Sequence, residues 1–126
     1  MKPLPPGSRL AGLSPASIRA VVAAAQALER GRADEADHHI IGLLALYPSH
    51  AEILRLHAGS QRLRGDLDGA VATLRRALAS RPDDALYMST LGGALIDNYR
   101  YDEAIDVLHR ATQRDESLAS AWYNLG

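Results

Sequence analysis

The segment from Gly65 to Pro82 reads G-D-L-D-G-A-V-A-T-L-R-R-A-L-A-S-R-P and contains one complete helical unit of the chain. A short turn opens an amphipathic helix, and Pro82 ends it because proline cannot continue a helix. Three apolar residues share one face of that helix: Ala70, Leu74 and Ala77. The same signals recur 34 residues earlier and 34 residues later. A fixed period of this size is typical of a stacked repeat array.

The two neighbouring copies of this unit differ mainly in their turn residues. The earlier copy carries Gly31, Ala36, Ile40, Leu43 and Pro48, and the later copy carries Tyr99, Ala104, Leu108, Ala111 and Glu116. Periodicity and capping residues predict six helices, over about 15–29, 33–47, 51–64, 67–80, 84–98 and 101–114, with a seventh beginning near Ser117. Short connections make neighbouring helices antiparallel. The predicted fold class is therefore all-α, an α-solenoid of antiparallel helix pairs.

Composition agrees with closely packed helices and narrows the function classes. The 126 residues are 47% hydrophobic with no Phe and one Trp, so Ala, Leu, Ile and Val must form the core. A net charge of -1 gives no argument for nucleic acid or an anionic membrane. The chain has no cysteine, no apolar run of the roughly 18 to 20 residues that span a bilayer, and no signal-like N-terminus. These features predict a cytoplasmic protein.

The N-terminus reads differently from the rest of the chain. Residues 1–13 hold three prolines and two glycines, which predicts a flexible or partly extended Pro-rich lead. Ser14 and Pro15 then form a helix start, with a hydroxyl to cap free amides and proline at the first helical position. The predicted domain covers residues 14–126.

In register, the units resemble the tetratricopeptide repeat family, whose pattern is W-x2-L-G-x2-Y, then A, an aromatic or aliphatic residue, A and P. Trp122, Leu125 and Gly126 match W-x2-L-G as written. The repeats are then 17–50, 51–84 and 85–118, with a partial repeat over 119–126. The resemblance implies a right-handed solenoid that acts as a protein–protein interaction scaffold.

The resemblance also implies a concave groove, lined by the first helix of each repeat, that binds a partner peptide or helix. The groove positions are Val21, Ala25, Glu52, Arg55, Gly59, Arg62, Leu86, Ser89, Gly93, Ile96 and Asp97. Small residues at Ala25, Gly59 and Gly93 leave room for a partner backbone, and Arg55 and Arg62 suit an acidic or carboxylate feature. The alternative is that both arginines are solvated and bind no ligand.

Two further interpretations depend on the position of Gly126, in the middle of a predicted helix. Trp122 and Leu125 then lie at an open apolar end, which predicts self-association into a homo-oligomer. The chain is alternatively the non-catalytic N-terminal region of a bacterial multidomain enzyme, for example a sulfotransferase or an aspartyl/asparaginyl β-hydroxylase. In such an enzyme the repeats serve substrate recruitment or oligomerisation.

The sequence offers few residues or motifs for catalysis, metal binding or nucleic-acid binding. No phosphate loop, nucleophile elbow or H-E-x-x-H occurs, so we expect no catalysis and no cofactor. The cluster Asp34, Asp37, His38 and His39 is more typical of an acidic first turn with surface histidines than of a metal site. Basic charge is not gathered on one face, so we expect no nucleic-acid partner and no membrane partner.

Two other features remain open. His57 takes a position that the family fills with leucine; it is either a hydrogen-bonded histidine at the edge of the core or a proton-sensitive packing site. Tyr99 and Tyr101, at the turn between two helices, either pack between neighbouring repeats or form a platform for a ligand.

Overall fold

The computed structural model describes residues 7–115 of the chain. Within that range there is no strand, and there are six helices: α1 (Pro15–Glu29), α2 (Ala33–Leu46), α3 (Ala51–Leu63), α4 (Leu67–Ser80), α5 (Ala85–Asp97) and α6 (Tyr101–Arg114). Each predicted helix is present with ends within one residue of those expected. The seventh helix, predicted near Ser117, lies outside the described residues.

The helices stack as antiparallel pairs. Connections of three residues join α1 to α2, α3 to α4 and α5 to α6, and each pair packs along its length. The first helices of the pairs also contact one another, since α3 touches both α1 and α5. The all-α solenoid predicted from the period is confirmed, and its first helices α1, α3 and α5 form one continuous surface.

Side-chain caps explain where three of the helices begin. The Ser14 hydroxyl accepts a hydrogen bond from the Ser17 amide at 3.1 Å, with Pro15 at the first helical position. Asp66 caps α4 in the same way, and Asp84 accepts from the amides of Leu86 and Tyr87, the second and third residues of α5. Each cap satisfies amides that have no partner inside the helix, which fixes the first turn.

The turn inside each pair has one backbone geometry, repeated three times. Gly31, Gly65 and Tyr99 have φ of 70°, 81° and 58°, in the left-handed region. In each turn the amide of the next residue donates to a carbonyl five positions back, as from Arg32 to Ala27 O at 2.9 Å. This is the geometry by which helices commonly end at glycine. Tyr99 adopts it without being glycine.

Small residues at the helix crossings bring the axes close together. Ala36, Ala58, Ala70 and Ala104 are at most 1% exposed. Gly92 is tighter still, because a Cβ there would collide with the side chain of Leu108 on α6. The larger aliphatic side chains fill the space between the crossings, as expected for close-packed helices.

The part of the N-terminal lead that the structure describes, residues 7–13, lies against the repeats. Leu13 is 8% exposed and joins the core formed by α1 and α2. The imidazole Nε2 of His50 donates to Ala11 O at 2.8 Å. Arg9 reaches Asp84 at the start of α5. A flexible or partly extended lead is the sequence prediction for residues 1–13; residues 7–13 make specific contacts, and residues 1–6 lie outside the described residues.

Candidate partner-binding groove

The surface shared by α1, α3 and α5 contains two adjoining pockets. One has a volume of about 290 Å³ and is lined by Arg62, Leu86, Ser89, Thr90, Gly93, Ile96 and Asp97. The other has a volume of about 320 Å³ and is lined by Leu28, Gly59, Arg62, Leu63 and Asp97. Six of the predicted groove residues line the first pocket, and Gly59 lines the second. Helical spacing brings them together because positions three and four apart share a face.

An ion pair lies between the two pockets. Asp97 Oδ2 accepts from Arg62 Nη2 at 2.6 Å and from Arg62 Nε at 3.0 Å, which joins α3 to α5. The two side chains are 32% and 43% exposed. A partly solvated pair of this kind adds little to stability. The pair therefore contributes little to holding α3 against α5.

The two glycines of the groove are covered by neighbouring side chains. A Cβ on Gly59 would lie 3.1 Å from Leu28 Cδ1, and a Cβ on Gly93 would lie 3.3 Å from Arg62 Nη2. The open space that the sequence predicts over these residues is thus filled by the far ends of flexible side chains. The reason is that α1 and α3 each lend a long side chain to the next helix in the stack.

Arg55 differs from its predicted role because it already has a carboxylate partner. Its Nε donates to Glu52 Oε1 at 2.8 Å and its Nη2 to Glu52 Oε2 at 3.0 Å. The Tyr87 hydroxyl also donates to Glu52 Oε1, at 3.1 Å. Burial and the nearby Glu52 carboxylate raise the pKa of Tyr87, so the phenol stays protonated and remains a donor. Glu52 and Arg55 form a closed polar cluster at the start of α3.

The remaining predicted residues contribute less surface. Val21 is 4% exposed and packs in the core, and Ala25 is partly buried against the same core cluster. Trp122 and Leu125, predicted for self-association, lie outside the described residues. The structure adds Thr90 to the groove, with its hydroxyl donating to Leu86 O at 2.8 Å. Thr90 follows Leu86 by four residues and so lies on the same face of α5. A groove prediction that took in more of this face would have included Thr90.

The acidic cluster of α2 is occupied by an arginine from the next repeat. Arg64 Nη2 donates to Asp34 Oδ1 and to Asp37 Oδ2, both at 2.6 Å. Burial would raise the pKa of Asp37, but hydrogen bonds from Ser60 and Arg64 outweigh burial and hold that pKa below its ordinary value of 3.8. Among residues 7–115, no group of three or more His, Cys, Asp or Glu side chains is placed to hold a metal ion.

The two open features from the sequence are now placed. The Nδ1 of His57 is buried and has no hydrogen-bond partner within residues 7–115. Tyr99 and Tyr101 are 78% and 53% exposed, with ring centroids 6.2 Å apart in an edge-to-face arrangement. Within the described part of the chain, these rings pack on each other rather than between repeats.

One structural test concerns membranes. Among the helices of residues 7–115, none combines the length and the apolar character that crossing a bilayer requires.

Known proteins match about half of this chain in sequence. Part of the chain is similar to the peroxisomal targeting signal receptors of Eremothecium gossypii, 42% identical over 60 residues, and Candida albicans, 36% identical over 61 residues. Each match covers 48% of this chain but 10% of the receptor, so the chain matches about a tenth of the length of these curated relatives.

Two solved structures superpose well on the fold. A variant O-GlcNAc transferase from Thermobaculum terrenum gives a TM-score of 0.81 at 26% identity, over 87% of this chain and 21% of that one. The Sgt2 TPR domain from Aspergillus fumigatus also gives 0.81, at 19% identity, over 94% of this chain and 80% of that one. The second likeness shows the fold alone.

Family models complete the comparison. Two models described as tetratricopeptide repeat match residues 19–85 and 61–126, each more than half of the chain. Together they cover residues 19–126, which contain most of α1 and all of α2 to α6. The chain belongs to the tetratricopeptide repeat family.

Proposed function

We propose that the surface of α1, α3 and α5 binds a short segment of a partner protein. Membership of the tetratricopeptide repeat family supports a role in protein–protein interaction. The observation that carries the finer proposal is the pair of adjoining pockets that share Arg62 and Asp97. The name of the curated relatives, peroxisomal targeting signal receptor, agrees with recognition of a segment of another protein.

The pocket chemistry narrows the kind of segment. Leu86 and Ile96 offer apolar contact, whereas Arg62 offers a planar fork of donors that matches a carboxylate. Asp97, once released from Arg62, accepts backbone amides of the segment. We therefore propose a peptide with an acidic or terminal carboxylate next to an aliphatic side chain.

A pocket-filling variant tests this site. Peptides selected from a random library against the wild-type chain are measured against Gly93→Leu, which fills the first pocket without removing a charge. We expect binding to weaken at least about tenfold. The matched control is Gly42→Leu on the exposed face of α2, where an added Cβ meets nothing within 4 Å. Equal loss in both variants, or no loss in either, rules out this groove.

A charge exchange tests the chemistry of the segment. Arg62→Asp removes the carboxylate-binding fork, and acidic peptides should then bind at least about tenfold more weakly. Arg62→Asp combined with Asp97→Arg restores an ion pair with reversed positions. If the double variant recovers stability but not peptide binding, then binding requires the guanidinium at position 62 and not at position 97. If Arg62→Asp binds acidic peptides as wild type does, the electrostatic part of the proposal is wrong.

A second candidate function is a non-catalytic repeat region within a longer enzyme. The superposition on an O-GlcNAc transferase favours it, since the matched part is 21% of that enzyme's chain. Nothing in residues 7–115 identifies a reaction, and the sulfotransferase and β-hydroxylase examples have no specific support. Reading the coding sequence beyond codon 126 tests this candidate, which fails if the frame closes there.

A further inference from the structure

The start of α5 holds an arginine that comes from far away in the sequence. Arg9 Nε donates to Asp84 Oδ2 at 2.9 Å, and Arg9 Nη2 donates to Asp84 Oδ1 at 2.8 Å. This two-point fork is the geometry by which arginine, but not lysine, recognises a carboxylate. The guanidinium carbon of Arg9 also lies 5.7 Å from the centre of the Tyr87 ring. Asp84 and Tyr87 thus present a carboxylate and an aromatic face to Arg9, and the guanidinium carbon of Arg81 lies 5.9 Å from the centre of the same ring.

Asp84 and Tyr87, which receive the guanidinium of Arg9, are buried within the repeats. The Asp84 side chain is 3% exposed, caps α5, and also accepts from Arg81 Nε at 3.0 Å. Tyr87 is fully buried and is anchored by its hydrogen bond to Glu52. Both residues are thus held by contacts that do not involve Arg9. The receiving site is therefore preorganised, which reduces the entropy lost when a guanidinium enters.

Arg9, which enters this site, is much more exposed than the residues that receive it. The Arg9 side chain is 41% exposed. The rest of the segment touches the repeats through the packing of Leu10 and Leu13 and through two hydrogen bonds. Arg81 Nη2 donates to Gly7 O at 2.7 Å, and His50 Nε2 donates to Ala11 O. A further opening of about 350 Å³ adjoins Asp84 and is lined by Ser80, Arg81, Pro82 and Asp83. Space for a longer peptide therefore exists beside the bound arginine.

We propose that Asp84 and Tyr87 form an arginine-binding subsite, which the chain's own Gly7–Leu13 segment fills and which an arginine-containing peptide of a partner protein fills in its place. The segment acts as a tethered competitor. A short tether gives an effective concentration in the order of millimolar, so a partner must displace it. This subsite shares no lining residue with the pockets around Arg62 and Asp97, and it does not rest on the groove proposal.

The test uses the 126-residue chain with Arg9→Ala, which removes the guanidinium from the subsite. The probe is the peptide Gly-Ser-Arg-Leu-Ala-Gly-Leu, which copies residues 7–13, beside a version with lysine in place of arginine. Binding is followed by NMR titration of backbone amides. We expect shift changes centred on α5 near Tyr87 and an affinity for the arginine peptide at least about tenfold higher than for the lysine peptide.

Three further variants sharpen the outcome. The wild-type chain should bind the arginine peptide at least about tenfold more weakly than Arg9→Ala, because the tethered Arg9 competes. Asp84→Asn added to Arg9→Ala should abolish binding, although asparagine still caps α5. Gly93→Leu added to Arg9→Ala should bind the peptide unchanged, which separates this subsite from the groove.

Several results would overturn the proposal. These are no binding to Arg9→Ala, equal binding of the arginine and lysine peptides, or equal affinity in wild type and Arg9→Ala. Circular dichroism checks that each variant keeps its helices. Arg9→Lys provides a second route, since it keeps the charge of the segment but lacks the fork. It should bind the arginine peptide more tightly than wild type and more weakly than Arg9→Ala.

Discussion

At the scale of single residues, Tyr99 carries backbone strain that its counterparts avoid. It has φ of 58° at the position where the two preceding pairs have glycine. A side chain in the left-handed region costs roughly 1 kcal/mol because Cβ approaches the backbone. Its ring is 78% exposed, so little packing offsets that strain.

We therefore expect Tyr99→Gly to raise the free energy of unfolding by about 0.5–1 kcal/mol. Urea unfolding followed by circular dichroism measures the change. The control is Gly65→Ala at the equivalent turn, which adds a side chain where φ is positive. It should therefore lower the free energy of unfolding. A destabilised Tyr99→Gly would mean that the edge-to-face contact with Tyr101 contributes more than the strain.

Asp84 gives stability a dependence on pH. Burial would raise the pKa of this carboxyl, but hydrogen bonds from Arg9 and Arg81 outweigh burial and hold the pKa below its ordinary value of 3.8. A carboxyl whose pKa is lower in the folded state stabilises the fold above the unfolded pKa. That stabilisation is lost as the pH falls through the folded pKa.

The prediction compares the free energy of unfolding of wild type with that of Asp84→Asn. Wild type should be the more stable protein above about pH 4–5, and the difference should shrink as the pH falls through the lowered pKa of folded Asp84. Urea unfolding at a series of pH values measures it, and the retained asparagine cap keeps the comparison electrostatic. A difference that does not change with pH would contradict the assigned ion pairs.

At the scale of helices, the closest approach is between α5 and α6. Gly92 lies where an added methyl group would collide with Leu108, which is fully buried. We expect Gly92→Ala to lower the free energy of unfolding by about 1–3 kcal/mol through overpacking. Gly42→Ala, on the uncrowded exposed face of α2, should instead raise it by about 0.5–1 kcal/mol. Thermal unfolding of both variants distinguishes crowding from helix propensity; similar shifts in both would contradict the close approach.

Neighbouring pairs are also joined by polar contacts that repeat with the period of the chain. Arg64 donates to Asp34 in the preceding pair, and Asn98 donates to Asp68 at 2.7 Å in the equivalent place. The donor and the acceptor each shift by one repeat between the two contacts. These contacts join each pair to the next at equivalent positions along the array.

At the scale of the whole molecule, self-association stays a prediction. It rests on Trp122 and Leu125, outside the described residues, and on the tendency of exposed apolar side chains to find cover. We expect a concentration series of molar mass by light scattering to rise from monomer to dimer for the full chain. Trp122→Ala should remain monomeric over the same range. A monomeric wild type throughout would remove the prediction and leave the groove as the leading interaction surface.

The groove shows how far sequence reasoning reached. Helical spacing and the resemblance together identified Arg62, Leu86, Gly93 and Ile96, which line one pocket. The same reasoning did not reveal that Arg55 is held by Glu52, although the two are only three residues apart. Buried Tyr87, whose hydroxyl donates to Glu52 from the next repeat, helps to hold that pair, and this contact has no local signal.

The sequence by itself determined the helices, their antiparallel pairing and the period of the array. Those features depend on caps, turn residues and apolar spacing within a few positions, and each signal occurs in two or three copies. Only the tertiary structure decided which charged groups meet. Arg62 pairs with Asp97 across 35 residues and Arg9 with Asp84 across 75, where the stagger of one repeat on the next sets the distance. Stagger depends on side-chain packing between pairs, which no short sequence pattern encodes.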